Sequence, residues 1–143
     1  MGPPTAPRDS RFKFRHSVEV RFRDLDAMGH AHHTLPLIYL EEARAAYWRE
    51  VAGRTTVGEI DYVMAEITVR FHKRIYWPGR LDVGLCVSRI GSKSFDMEFE
   101  ITDQAGEVMA EGRTVQVGYD YKSSRAVEMQ GDVRKKIEEY ERG

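Results

Sequence analysis

Apolar and polar positions alternate along most of this chain, and one long stretch breaks the alternation. Val18, Val20 and Phe22 alternate with Glu19, Arg21 and Arg23, the period-two pattern of a half-buried strand. The period returns at Ile67, Val69 and Phe71, then at Leu81, Val83, Leu85 and Val87. It continues at Phe95, Met97, Phe99 and Ile101, and again at Val115, Val117 and Tyr119. Pro78-Gly79, Gly91-Ser92 and the run DQAG punctuate these segments. Turns this short predict sequential hairpins, hence an antiparallel sheet.

The exception is LPLIYLEEARAAYWREVAG, whose leucines, alanines and aromatics cover most of a helical surface. Glu41, Glu42, Arg49 and Glu50 occupy the remainder. Thr34 is placed to cap this helix, Pro36 falls in its first turn where a missing N–H costs little, and Gly53 is a stop signal. A helix apolar over so much of its circumference needs burial on more than one side. A curved sheet wrapped around it meets that need. The tail, residues 133–142, predicts a short, charged, exposed helix. No repeat and no second domain is visible.

Length and charge narrow the function. The 143 residues suit one domain with a real core, and 41% are hydrophobic. Twenty-two basic against 23 acidic side chains leave a formal charge of -1, with no overall pull toward nucleic acid or an anionic membrane. The single cysteine, Cys86, excludes an internal disulfide and a cysteine-built zinc site within one chain, and reads as a small packing residue of a strand. The opening MGPPTAPRDSRFKF has no apolar segment of a signal peptide, and Ala6 stands where a myristoylation pattern needs Ser or Thr. It reads as a flexible lead-in, residues 1–13, before a domain at 14–129 and a tail at 130–143. No apolar run approaches the ~20 residues that span a bilayer, so a cytoplasmic protein is expected.

The chemistry concentrates in RFRDLDAMGHAHH, between the first strand and the helix. Three readings are open: a metal site, a catalytic turn, or a polar loop. His30, His32 and His33 could supply nitrogen ligands and Asp26 an oxygen, but a helix start points such side chains in different directions. Asp26 could equally be a solvated turn or capping residue.

The stretch FRDLDAMGHAHH followed by YLEEAR resembles the hotdog-fold acyl-CoA thioesterases of the 4-hydroxybenzoyl-CoA thioesterase type. Asp24, Asp26, Gly29, His30, Tyr39, Glu41, Ala43 and Arg44 match the family pattern. YWPGRLDVGLCV and GSKSFDMEFEI add two further matches in order. His32 and His33 replace an asparagine pair, and Pro36 stands where an aromatic is common.

The resemblance implies an α+β hotdog fold, a curved antiparallel sheet of about five strands around one long helix. It implies hydrolysis of an acyl-CoA with Asp26 as the catalytic carboxylate, either as nucleophile or as general base. The backbone N–H of His33 would polarise the thioester carbonyl, and Gly29 would permit a tight turn. No metal or cofactor is expected. His30 is expected to hydrogen-bond within the turn, and His32 and His33 to line the pocket or a dimer seam. Glu66 could approach a partner's Asp26, and Arg89 and Lys93 are candidates for the CoA nucleotide; the alternative for each is a solvated surface residue. A homodimer or a tetramer of two dimers is expected. Rival readings are a hotdog hydratase or dehydratase, a non-catalytic acyl-binding module, and a cystatin-like or NTF2-like cone.

Overall fold

A computed structural model describes residues 11–143. The predicted lead-in therefore lies, up to residue 10, outside the described residues. Phe12 is buried, and any side chain at Gly84 would begin 2.8 Å from its Cβ, so only glycine there leaves the ring its place.

The elements are β1 (Phe14–Val20), α1 (Leu35–Glu50), β2 (Tyr62–Phe71), β3 (Gly79–Ile90), β4 (Ser94–Thr102), β5 (Val108–Asp120), β6 (Arg125–Ala126) and α2 (Gly131–Arg142). The antiparallel sheet runs β1-β3-β4-β5-β2, with the short β6 on β5. The strands on either side of α1 in the chain, β1 and β2, are the two edges. The chain must cross the whole sheet between them, and α1 is that crossing, laid on the concave face of a curled half-barrel. This is the expected hotdog architecture.

Period two decides the faces. Phe95, Met97, Phe99 and Ile101 of β4 are buried together with Val83, Leu85 and Val87 of β3 and with Tyr39, Leu40, Ala43, Ala46 and Tyr47 of α1. Trp48 stacks on Phe95 with centroids 5.3 Å apart and meets Tyr62 edge-on at 4.9 Å. The intervening acids of β4 point to the convex face, where arginines pair with them. Arg15 lies 2.7 Å from Glu100, and Asp96 lies 2.9 Å from Arg89 and 3.2 Å from Arg113. Asp96 and Glu100 are thereby buried as charges with partners.

Two local expectations need correction. Thr34 occupies the cap position of α1, yet its side chain makes no capping bond and faces His32 Nδ1 at 2.9 Å. The tail helix α2 is charged but not simply exposed, since Val133 and Ile137 are fully buried. Their i, i+4 spacing puts both on one face, and that face docks against the core. Glu141, one turn beyond Ile137, accepts 2.7 Å hydrogen bonds from the Tyr47 hydroxyl and from Val87 N–H.

Candidate functional site

The turn between β1 and α1 is built by backbone bonds before any side chain contributes. Asp26 N–H donates to His30 O at 3.1 Å, Gly29 N–H to Asp26 O at 3.1 Å, and Leu25 and Ala31 form a β-bridge. Gly29 closes the turn at φ +84, a backbone region that favours glycine. The turn is stitched to its surroundings at two points. Ala31 N–H donates to Ile75 O at 2.7 Å, and His32 N–H to Asp24 O at 3.0 Å.

Asp24 anchors this turn to α1. It is buried, and its Oδ2 accepts from Arg21 N–H at 2.8 Å and from the Tyr39 hydroxyl at 2.6 Å. Burial and then the hydrogen bond to Asp24 push the Tyr39 hydroxyl well above the ordinary phenol range. Asp24 is thus the structural aspartate of the pair, and Asp26 the half-buried one at the tip. One oxygen of Asp26, Oδ1, accepts from Met28 N–H at 2.9 Å, as a turn aspartate does. Its other oxygen has no partner among the described residues.

The start of α1 offers the complementary group. Leu35 N–H donates to His32 O, Thr34 N–H reaches His32 Nδ1 at 3.3 Å, and Pro36 has no N–H. The His33 N–H donates to no described residue. Its position at a helix N-terminus adds the partial positive charge of the helix dipole.

The three histidines do not converge. His30 Nδ1 lies 3.1 Å from Ala31 O, within the turn as expected, and its ring faces Tyr76 edge-on at 6.3 Å. His32 bonds Thr34, and the His32 and His33 rings lie 4.0 Å apart. Among the described residues no group of three metal-ligating side chains could hold an ion. A hollow of about 270 Å³ opens beside these histidines, between Pro36 and the segment Phe71, His72, Lys73, Arg74 and Ile75.

A larger hollow, about 1040 Å³, lies at the other end of α1 around Trp48, Asp61 and Tyr121. Its Arg54 is already held by Asp132 at 3.2 Å and Asp61 at 3.8 Å. Burial raises the Asp61 carboxyl, against the opposing effects of the Trp48 hydrogen bond and Arg54. This hollow lies away from the β1–α1 turn, whereas the smaller one is lined by His30, His32 and His33 of that turn, so the smaller one is the better candidate.

Three sequence candidates do not join Asp26 within one chain. Glu66 lies past a bulge between Met64 and Glu66, which turns it outward toward Arg113, 4.0 Å away. Arg89 stands at the far end of β3, ten residues and roughly 30 Å of strand from Gly79 beside the turn. It is committed to Asp96. Lys93 is on the hairpin just beyond. Residues that sequence reasoning missed are Tyr39, whose role shows only once α1 lies over the turn, and Ile75, whose carbonyl comes from the segment leading into β3, the neighbour of β1. Tyr39 stood in the matched YLEEAR; nothing local marked Ile75.

The model of the thioesterase-like superfamily matches residues 20–137. No curated protein matches the chain. Among solved structures, a Thermus thermophilus thioesterase complexed with coenzyme A and zinc is 31% identical, with a TM-score of 0.80 over 88% of this chain and 98% of that one. A Staphylococcus aureus protein in complex with CoA is 13% identical, with a TM-score of 0.82 over 90% of this chain and 84% of that one. A 1,4-dihydroxy-2-naphthoyl-CoA thioesterase from Synechocystis is 18% identical, with a TM-score of 0.74 over 87% and 94%. These last two likenesses concern the fold.

Proposed function

The chain belongs to the thioesterase-like superfamily and is a thioester hydrolase; from that premise we propose that it hydrolyses an acyl-CoA, with Asp26 as the catalytic carboxylate. The observation that supports this most is the pairing of two unsatisfied groups in one short stretch. Among the described residues, Asp26 keeps one oxygen without a partner, and His33, seven residues on, keeps an N–H without an acceptor.

In this reading the thioester carbonyl accepts from the His33 N–H, which stabilises the oxyanion as it forms. In the general-base route, water adds to the carbonyl carbon while its proton passes to Asp26. The C–S bond then breaks, and the thiolate leaves with that proton as CoA thiol. In the nucleophilic route Asp26 itself attacks the carbonyl carbon, the C–S bond breaks to expel the thiolate, and water then cleaves the anhydride to the free acid and Asp26, with one of its protons going to the thiolate. In a single turnover in ¹⁸O water, label found in Asp26 identifies the nucleophilic route with water attacking the anhydride at the Asp26 carbonyl, an outcome the general-base route does not give.

A homo-oligomer built on β2 is part of the proposal. This edge strand is ten residues long, and its side chains Ile67 and Phe71 are 43% and 54% exposed. An edge that long tends to pair, and a two-fold antiparallel pairing closes it. Such a pairing sets the Tyr62 end of one β2 beside the Phe71 end of the other, so the far end of one chain would complete the site of its partner. No helix among the described residues is long and apolar enough to cross a membrane.

The test is a panel of aromatic, short and long acyl-CoAs read by thiol release, with light scattering over a dilution series. Turnover that vanishes as the oligomer dissociates, before unfolding, supports the shared site. A fully active monomer rejects it. Acyl-CoA binding without release of thiol would favour the acyl-binding module, and hydration of an enoyl-CoA the hydratase.

A further inference from the structure

Phe22 and Trp77 meet edge to face, with ring centroids 5.3 Å apart and planes at 78°. Phe22 is nonetheless 69% exposed and Trp77 47%. Two large rings in contact and left in water make an exposed apolar patch, the kind of surface that suits a ligand when basic residues rim it. Both lie beside the candidate turn. Phe22 O accepts from Leu25 N–H at 3.2 Å, next to Asp26, and Ile75 O, two residues before Trp77, accepts from Ala31 N–H.

The same two segments carry Arg21, Arg23 and Arg74. None of the three makes an ion pair with a described residue, whereas Arg15, Arg89 and Arg113 on the convex face are each paired. The corner sits where β1 ends and β3 begins, at Val20 opposite Gly79. That is the opposite edge from β2, so a second copy paired on β2 through its own edge does not account for it.

We propose that this corner binds the nucleotide end of the CoA substrate. The adenine lies against the faces of Phe22 and Trp77, and Arg21, Arg23 and Arg74 hold the phosphates. Aromatic faces accept a base by stacking, and guanidinium forks match phosphate oxygens. Phe22 and Asp26 are four residues apart, at most ~14 Å of chain, a span within reach of the flexible arm between nucleotide and thioester. The proposal rests on the acyl-CoA reading and moves the nucleotide from Arg89 and Lys93 to the rim of the turn itself.

The experiment compares one acyl group on CoA and on N-acetylcysteamine, which lacks the nucleotide, in wild type, Phe22→Ala/Trp77→Ala and Arg23→Glu/Arg74→Glu. These side chains are exposed, so the variants are expected to fold. The ratio of kcat/KM for the CoA ester to that for the truncated ester should fall at least ~10-fold in each, more steeply at low salt for the charge reversal. Calorimetric titration with CoA itself should weaken in parallel. An unchanged ratio, or unchanged CoA affinity, overturns the nucleotide site while leaving hydrolysis standing. If the wild type cleaves neither ester, the acyl-CoA reading fails, and the titration alone decides the site. Loss confined to an acyl-carrier-protein thioester would also overturn it, because the corner would then dock a protein.

Discussion

The two ends of α1 treat polar groups in opposite ways. At its C-terminal end a set of buried donors is held by carboxylates. Tyr47 and Val87 N–H share Glu141, Trp48 Nε1 donates to Asp61 at 3.1 Å, and Arg54 bridges Asp61 and Asp132. At its N-terminal end the His33 N–H and one oxygen of Asp26 are left without partners among the described residues. A folded chain tolerates unsatisfied groups where water or a ligand can reach them, not in its core. On the proposed reading the first end serves stability and the second chemistry, and mutations at the two ends should separate along those lines.

The largest expected effect is at the open end. Asp26→Asn keeps the size and removes the charge, so kcat should fall at least ~100-fold, with the melting temperature nearly unmoved. Near-normal turnover by a folded Asp26→Asn protein would remove Asp26 from the mechanism. At the closed end the pattern inverts. Glu141→Ala strands two buried donors and should cost about 2–4 kcal/mol of stability, read by denaturant unfolding, without a matching loss of kcat.

High pH should tell the ends apart less sharply. Burial and then the bond to Glu141 raise the Tyr47 hydroxyl far above its ordinary 10.0, and Tyr39 is raised in the same direction through burial and Asp24. A group raised on folding stabilises fully below its unfolded value and loses that contribution as pH climbs past it. Stability should therefore decline from about pH 10 upward. Tyr47→Phe should flatten that decline, and an unaltered profile would show that Tyr47 does not drive it.

Tyr39→Phe probes the bond that fastens the turn to α1. Asp24 keeps the Arg21 N–H, so the expected change is small, roughly a few-fold in kcat, from the ~1 kcal/mol that one hydrogen bond contributes. A loss as large as that of Asp26→Asn would mean the turn's position depends on Tyr39 alone. Smallest of all, chelator treatment should leave turnover unchanged. A stoichiometric metal lost and restored together with activity would reopen the histidine reading.

Period two by itself locates the five long strands, and the apolar helix requires something wrapped around it. Those are local properties, written in which face of each segment is apolar. The turn is legible as well, because Asp26, Gly29 and the helix start lie within a few residues of one another. Three things come only from tertiary structure. The outward turn of Glu66 follows from one extra residue in a strand, which alternation in an isolated segment does not register. The docking of α2 depends on Tyr47 and Val87, 94 and 54 residues away from Glu141, so a charged tail looks merely exposed. The meeting of Phe22 with Trp77, and of Ala31 with Ile75, needs β1 beside β3. Sequence patterns report what each segment prefers to bury; which distant segment it is buried against is decided when the sheet orders its strands.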